Sequence, residues 1–139
     1  MAKFTLTDAY ISVNGVVLSD HGNNVTVEDT REQVDFTAFG ATSKVYGKGL
    51  GDATITVQFF QDFAAGEVHA TLQPLISSTT PVTVEVRATS AARSATNPGI
   101  VMSALLFTYT PLSGSIGEAS VMSATFTNAS QTGITYPTS

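Results

Sequence analysis

The chain of 139 residues contains no cysteine and no tryptophan. Without thiols there can be no disulfide staple, no thiolate zinc site and no cysteine nucleophile, and the redox compartment stays open. The lack of tryptophan, with only four tyrosines, removes most of the aromatic platforms on which sugar-binding surfaces rest. Charge is scarce as well: six Lys and Arg stand against eleven Asp and Glu, for a net charge of −5. Six scattered cations cannot neutralise a row of phosphates, which argues against a nucleic-acid grip. Nucleic acid passing nearby is a different matter, because a neutral to acidic channel keeps phosphates from sticking. No apolar run is long enough for a membrane span, and MAKFTLTDAY at the start lacks the apolar core of a secretion signal. The chain is therefore expected to stay where it is made, with no membrane partner.

What is present is length enough for one domain, read as residues 1–139, burying roughly two thirds of its unfolded surface without a metal or cross-links. Ser and Thr outnumber charged residues by about two to one, an excess typical of strand and turn surfaces. Low charge with a positive mean hydropathy has two readings. Either part of the surface is hidden in an assembly, or a compact monomer is solvated by its hydroxyls.

Strand-like runs recur with turn signals between them: 9–13, 16–18, 24–28, 33–39, 53–60, 82–88, 100–109 and 120–127. This predicts a mainly β protein, an antiparallel β-sandwich or barrel. Asn14-Gly15 is the strongest local signal, because both central residues of a type I′ hairpin turn need positive φ. In 53–60, Ala53, Ile55, Val57 and Phe59 share one face and Thr54, Thr56, Gln58 and Phe60 the other, the period of a strand with one dry side. The pattern then changes. Ala65, Val68, Leu72 and Leu75 follow at helical spacing, which predicts one short α-helix with Asp62 as N-cap and Pro74 at its end. Two long segments, 40–51 (GATSKVYGKGLG) and 89–99 (TSAARSATNPG), are expected to be irregular loops that either bind something or stay mobile. The tail 128–139 has little patterned hydrophobicity and is expected to fray or to be ordered by a neighbour.

No set of residues points to catalysis, a cofactor or a metal. His69 has no His, Cys or acid at i+4, and Glu67 and His69 diverge around a helix. His21 lies in Asp20-His21-Gly22-Asn23-Asn24, which reads as a turn without the spacing of a calcium loop. Ser115 lacks the Gly-x-Ser-x-Gly elbow of a hydrolase. The run Gly47-Lys48-Gly49-Leu50-Gly51 feeds a strand and lacks the hydroxyl of a phosphate-binding loop.

The polar strand faces carry more information. Gln33, Asp35 and Thr37 line one side of their run, Thr54, Thr56 and Gln58 one side of theirs, and Glu85 and Arg87 lie together on the polar face of 82–88. Each is compatible with an ordinary solvent face. The run 100–109 is apolar on both faces from Ala104 to Phe107, which fits a central strand or one lying against a neighbouring subunit.

The strand 53–60, the acidic turn at Gln61-Asp62, the Ala/Gly-rich Asp62-Phe63-Ala64-Ala65-Gly66 and the closing Leu72-Gln73-Pro74-Leu75 together resemble the tail tube proteins of long-tailed bacteriophages. The likeness is strongest to those infecting actinobacteria. It includes the glycine-rich segment before the strand and the strand order over nearly the whole chain. The resemblance implies a structural, non-enzymatic virion protein of the phage tail, made and assembled in the host cytoplasm. It further implies self-association into rings, hexameric in that family, stacked into a hollow tube that conducts DNA without binding it specifically. The tape measure, tail terminator and distal tail proteins would be further partners. On that basis Gln33, Asp35, Thr37, Thr54, Thr56, Gln58, Glu85 and Arg87 are candidates to face the lumen, the last two alternatively as a cross-subunit ion pair. Lys44, Tyr46, Lys48 and Arg93 are candidates for contacts between rings. A carbohydrate- or surface-binding sandwich that decorates a virion, and the tube subunit of a contractile secretion system, remain the alternatives.

Overall fold

A computed structural model describes residues 3–139. Seven antiparallel strands form one sheet: β1 (Tyr10–Val13), β2 (Val16–Val17), β3 (Gly22–Asp35), β4 (Tyr46–Phe60), β5 (Val82–Arg87), β6 (Ile100–Ser113) and β7 (Val121–Asn128). Their spatial order is β2-β1-β5-β6-β7-β4-β3. The sheet curls until its two ends approach, with the Ile11 side chain of β1 and the Phe59 ring both lying against Gly22 at the start of β3. The single α-helix among the described residues, α1 (Val68–Leu72), continues as a 3-10 turn over Gln73–Leu75.

Alternation sets the core. Ala53, Ile55, Val57 and Phe59 of β4 are buried, as are Met122, Ala124 and Phe126 of β7 and Met102, Ala104 and Leu106 of β6. Val68, Leu72 and Leu75 close this apolar layer from the helical segment. The expected β1–β2 hairpin is present, and Asn14 (φ 52°) with Gly15 (φ 81°) supplies the two left-handed residues its turn requires.

Four expectations change. The runs 24–28 and 33–39 are not separate strands: residues 22–35 form one strand, and Thr37 lies beyond it. The intervening Asp29-Thr30-Arg31-Glu32 carries no apolar alternation because this outer strand has little to bury. The helix is shorter than its periodicity predicts, with Ala65 exposed before it and Gly66 at φ +78°. Asp62 is not the N-cap. Its Oδ1 accepts instead from the backbone N–H of Ala64 at 2.9 Å, a local bond that competes with helix initiation. The tail 128–139 neither frays nor waits for a neighbour: Ile134 is buried, Thr135 pairs with Val101 at the start of β6, and Gly99 N–H donates to Pro137 O.

Candidate assembly surfaces

Three surfaces follow from this topology. The first is an arm. β4 pairs with β7 only from Thr54 to Phe60, whereas β3 accompanies it back to Tyr46. Residues 46–53 therefore project as a two-stranded hairpin, roughly 25 Å at ~3.3 Å per residue. The segment 40–51 is thus not the loop its composition predicts, because Tyr46–Gly51 is strand. Gly47, Gly49 and Gly51 fall at period two on one face, where β3 side chains lie across them. A Cβ on Gly47 would sit 2.4 Å from the Phe36 ring, and one on Gly51 2.8 Å from the Arg31 guanidinium. The glycines make room for their neighbours; they do not loosen the chain.

The arm is apolar at its end. Phe36, Phe39, Val45, Tyr46 and Leu50 are all exposed, Phe39 completely at 109%. The tip is nevertheless tied: Thr37 Oγ1 accepts from Val45 N–H at 2.8 Å, and Phe36 N–H donates to Val45 O. Asp35 Oδ1 accepts from Thr37 N–H at 2.9 Å. The Thr37 hydroxyl and N–H hold the Asp35 carboxyl below its ordinary range and keep it ionised.

The register also joins residues to which the resemblance gives separate roles. Asp35 lies opposite Tyr46 and Gln33 opposite Lys48 on one face of the hairpin, while Lys44 sits at the exposed tip. The cross-strand neighbours of Thr54, Thr56 and Gln58 are instead Glu28, Thr26 and, beside a bulge, Asn24.

The second surface is the sheet face opposite the core. Thr54, Thr56 and Gln58 oppose Thr127, Thr125 and Ser123 of β7, and beyond these lie Thr108 and Thr110 of β6. This hydroxyl field was only half visible in the sequence, through β4. The alternation of β7 carries the same signal, but a bulge after Leu106 shifts β6 and conceals its share. That bulge leaves Phe107 exposed.

The third surface is the long outer edge of β3, fourteen residues from Gly22 to Asp35, against two residues in β2 at the opposite edge.

Glu85, Arg87 and Arg93 belong to none of these. Arg93 donates to both Glu85 oxygens, at 2.9 and 2.8 Å, and Arg87 Nη1 lies 3.1 Å from Glu85 Oε2. The Arg93 hydrogen bonds are the main reason the Glu85 carboxyl stays below its usual range. Arg87 also lies 3.8 Å over the Tyr10 ring. The Glu85 and Arg87 side chains are only 13% and 14% exposed and form an ion pair with each other within the chain. Arg93 is likewise paired with Glu85 within the chain. The segment 89–99 folds back because Asn97, buried, donates to the carbonyls of Thr89, Ala91 and Ala92 and accepts from Thr89 N–H.

No protein-family model and no curated protein matches the chain. Solved structures do. The fold is similar to that of a chain in the virion of a native gene transfer agent particle (TM-score 0.70, 10% identity, 93% of this chain and 95% of that one). It is also similar to a chain in the tail of an empty gene transfer agent particle of C6 symmetry (0.65, 11%, 86% and 85%). A third match is a chain of the sheath-tube complex of an extracellular contractile injection system in its extended state (0.70, 11%, 99% and 93%). At such identities the likeness is one of fold.

Proposed function

We propose that the chain is the repeating subunit of a phage tail tube, a structural protein that assembles into stacked rings around a channel for DNA. The observation that carries this reading is the arm. An isolated two-stranded hairpin is marginal in water, yet here one extends past the sheet with large apolar side chains bare at its end. Docking on the next ring would bury them, and the fold match to a tail of C6 symmetry supports six subunits per ring. The resemblance to tail tube proteins supports a place in the virion tail.

Within this reading the candidate residues regroup by register. Gln33, Asp35 and Thr37 act with Lys44, Tyr46 and Lys48 as one arm surface between rings. Thr54, Thr56 and Gln58, with the β7 hydroxyls, line the lumen. The lumen's role is electrostatic: uncharged hydroxyls and amides offer phosphates no cation to hold, and the net charge of −5 repels them. Pairing of the β3 edge with a neighbouring subunit would close each ring and remove the unpaired backbone groups. The role is mechanical and not enzymatic.

A second reading is the inner tube of a contractile injection system, favoured by the match that covers 99% of this chain. Co-assembly with a sheath protein would distinguish it.

The test is negative-stain electron microscopy of the purified protein over a concentration series, with light scattering on the same samples. Hollow tubes or rings of uniform diameter are expected. A monodisperse monomer at every concentration, with or without preformed tail seeds, would overturn the proposal.

A further inference from the structure

We propose that His21, Asp62 and Glu67 form a binding site for a divalent transition-metal ion of the zinc type, stapling the turn after β2 to the segment that leads into α1. His21 ends the 3-10 turn Ser19–His21, Asp62 follows β4, and Glu67 immediately precedes α1. Their donor atoms lie within 4.8 Å of one another, with His21 Nε2 at 2.9 Å from Asp62 Oδ2 and 3.5 Å from Glu67 Oε2. Zinc bonds of about 2.0–2.2 Å place tetrahedral donors about 3.4 Å apart, so His21 and Glu67 stand near ligand spacing, and a small outward shift of Asp62 completes a three-residue set with a fourth position for water.

The hydrogen bonding supplies the second argument. His21 Nδ1 lies 2.9 Å from Asp20 Oδ1, and a carboxylate there requires Nδ1 to carry a hydrogen. A neutral His21 then turns a bare lone pair at Nε2 toward two carboxylates. Three acceptors converge with no proton among them, so the space between them calls for positive charge. One solution is protonation of the ring; a divalent cation is the other, and it competes for the same lone pair. The Asp20–His21 pair is also the arrangement that fixes tautomer and basicity in metal-bound histidines. The cluster is half-sheltered, His21 being only 16% exposed. One imidazole with two carboxylates suits zinc, cobalt or nickel better than calcium, which prefers more oxygen donors.

The charged groups facing His21 are Asp20, Asp62 and Glu67. Metal affinity should therefore fall about tenfold for each pH unit below the His21 pKa, as protons reclaim the ring.

The test is 15N NMR of the full chain labelled at histidine, titrated with Zn2+ near neutral pH. With two histidines, a His69→Gln variant assigns the signals. Zn2+ is expected to move His21 Nε2 to a metal-bound shift, suppress its acid titration and leave His69 in place. Glu67→Gln, which preserves shape and leaves the Asp62 contact intact, should weaken binding at least tenfold. Unchanged His21 titration at millimolar Zn2+, or equal affinity in the folded Glu67→Gln variant, would overturn the site and leave a protonated histidine clamp. Neither outcome bears on tube assembly.

Discussion

The two halves of β4 obey the same period and serve opposite ends. From Ala53 to Phe59 every second residue is buried against β7, β6 and the helical segment, whereas from Tyr46 to Gly51 the strand has only β3 beside it and its tip is bare. Ala, Ile, Val and Phe fill the inward positions of the first half; glycine fills the corresponding positions of the second. Burial within the chain holds one half. The other is thin enough to be covered by β3 side chains, and its tip leaves Phe36, Phe39, Val45 and Tyr46 exposed.

Breaking the inner half should have the largest effect on the subunit. Phe59→Ala leaves a cavity in the core and should cost about 3–5 kcal/mol, read as a lower urea midpoint. Glu85→Ala comes next, since it strands Arg87 beside Arg93 of the 89–99 segment. It should cost about 2–4 kcal/mol, and its effect should shrink at low pH. The sign follows from the lowered Glu85 pKa: the wild-type pair contributes above the ordinary carboxylate pKa and is lost as pH falls through the folded value. An acid titration of urea midpoints for both proteins checks it. Gly47→Val drives a branched side chain into the Phe36 ring and should cost about 1 kcal/mol by crowding. It should reduce tube yield far more than that stability loss accounts for. Replacing Phe36 and Phe39 together by Ser should change stability by no more than about 0.5 kcal/mol while abolishing tubes. Tubes that persist would show that the arm tip is not the contact between rings.

The smallest effect concerns the clamp around His21. Asp62 is the main reason its pKa is raised, with Asp20 and Glu67 adding to it. A raised pKa means that the protonated contacts stabilise fully below the ordinary imidazole value and fade as pH rises through the folded one. His21→Gln should therefore lower the melting temperature at mildly acidic pH and approach wild type at alkaline pH, in metal-free buffer.

Most strands were legible because one of their faces is buried, and burial writes itself as alternation: β1, β5, β6 and β7 fall where the pattern puts them. β3 looks like two pieces in the sequence because an outer strand needs no alternation through Asp29-Thr30-Arg31-Glu32. The glycine run resembled a loop because what fills its face comes from Arg31, Val34 and Phe36, more than ten residues away. Arg93 and Glu85 are eight residues apart and Ile134 lies alone in a polar tail, so neither contact leaves a local trace. His21 and Asp62, 41 residues apart, leave none at all.

The unequal edges of the sheet constrain how copies can meet. An isologous dimer, β3 against β3 about a two-fold axis, would bring together Glu28, Asp29, Glu32 and Asp35 from each copy with only Arg31 to offset them. Such like-charge stacking disfavours a closed pair that would consume subunits without building anything. In the proposed rings this would leave a heterologous contact, the long edge of one copy on a different surface of the next, which would give each ring a direction of travel around its circumference. The circumferential polarity of such a ring would then be inherited from a difference in strand length.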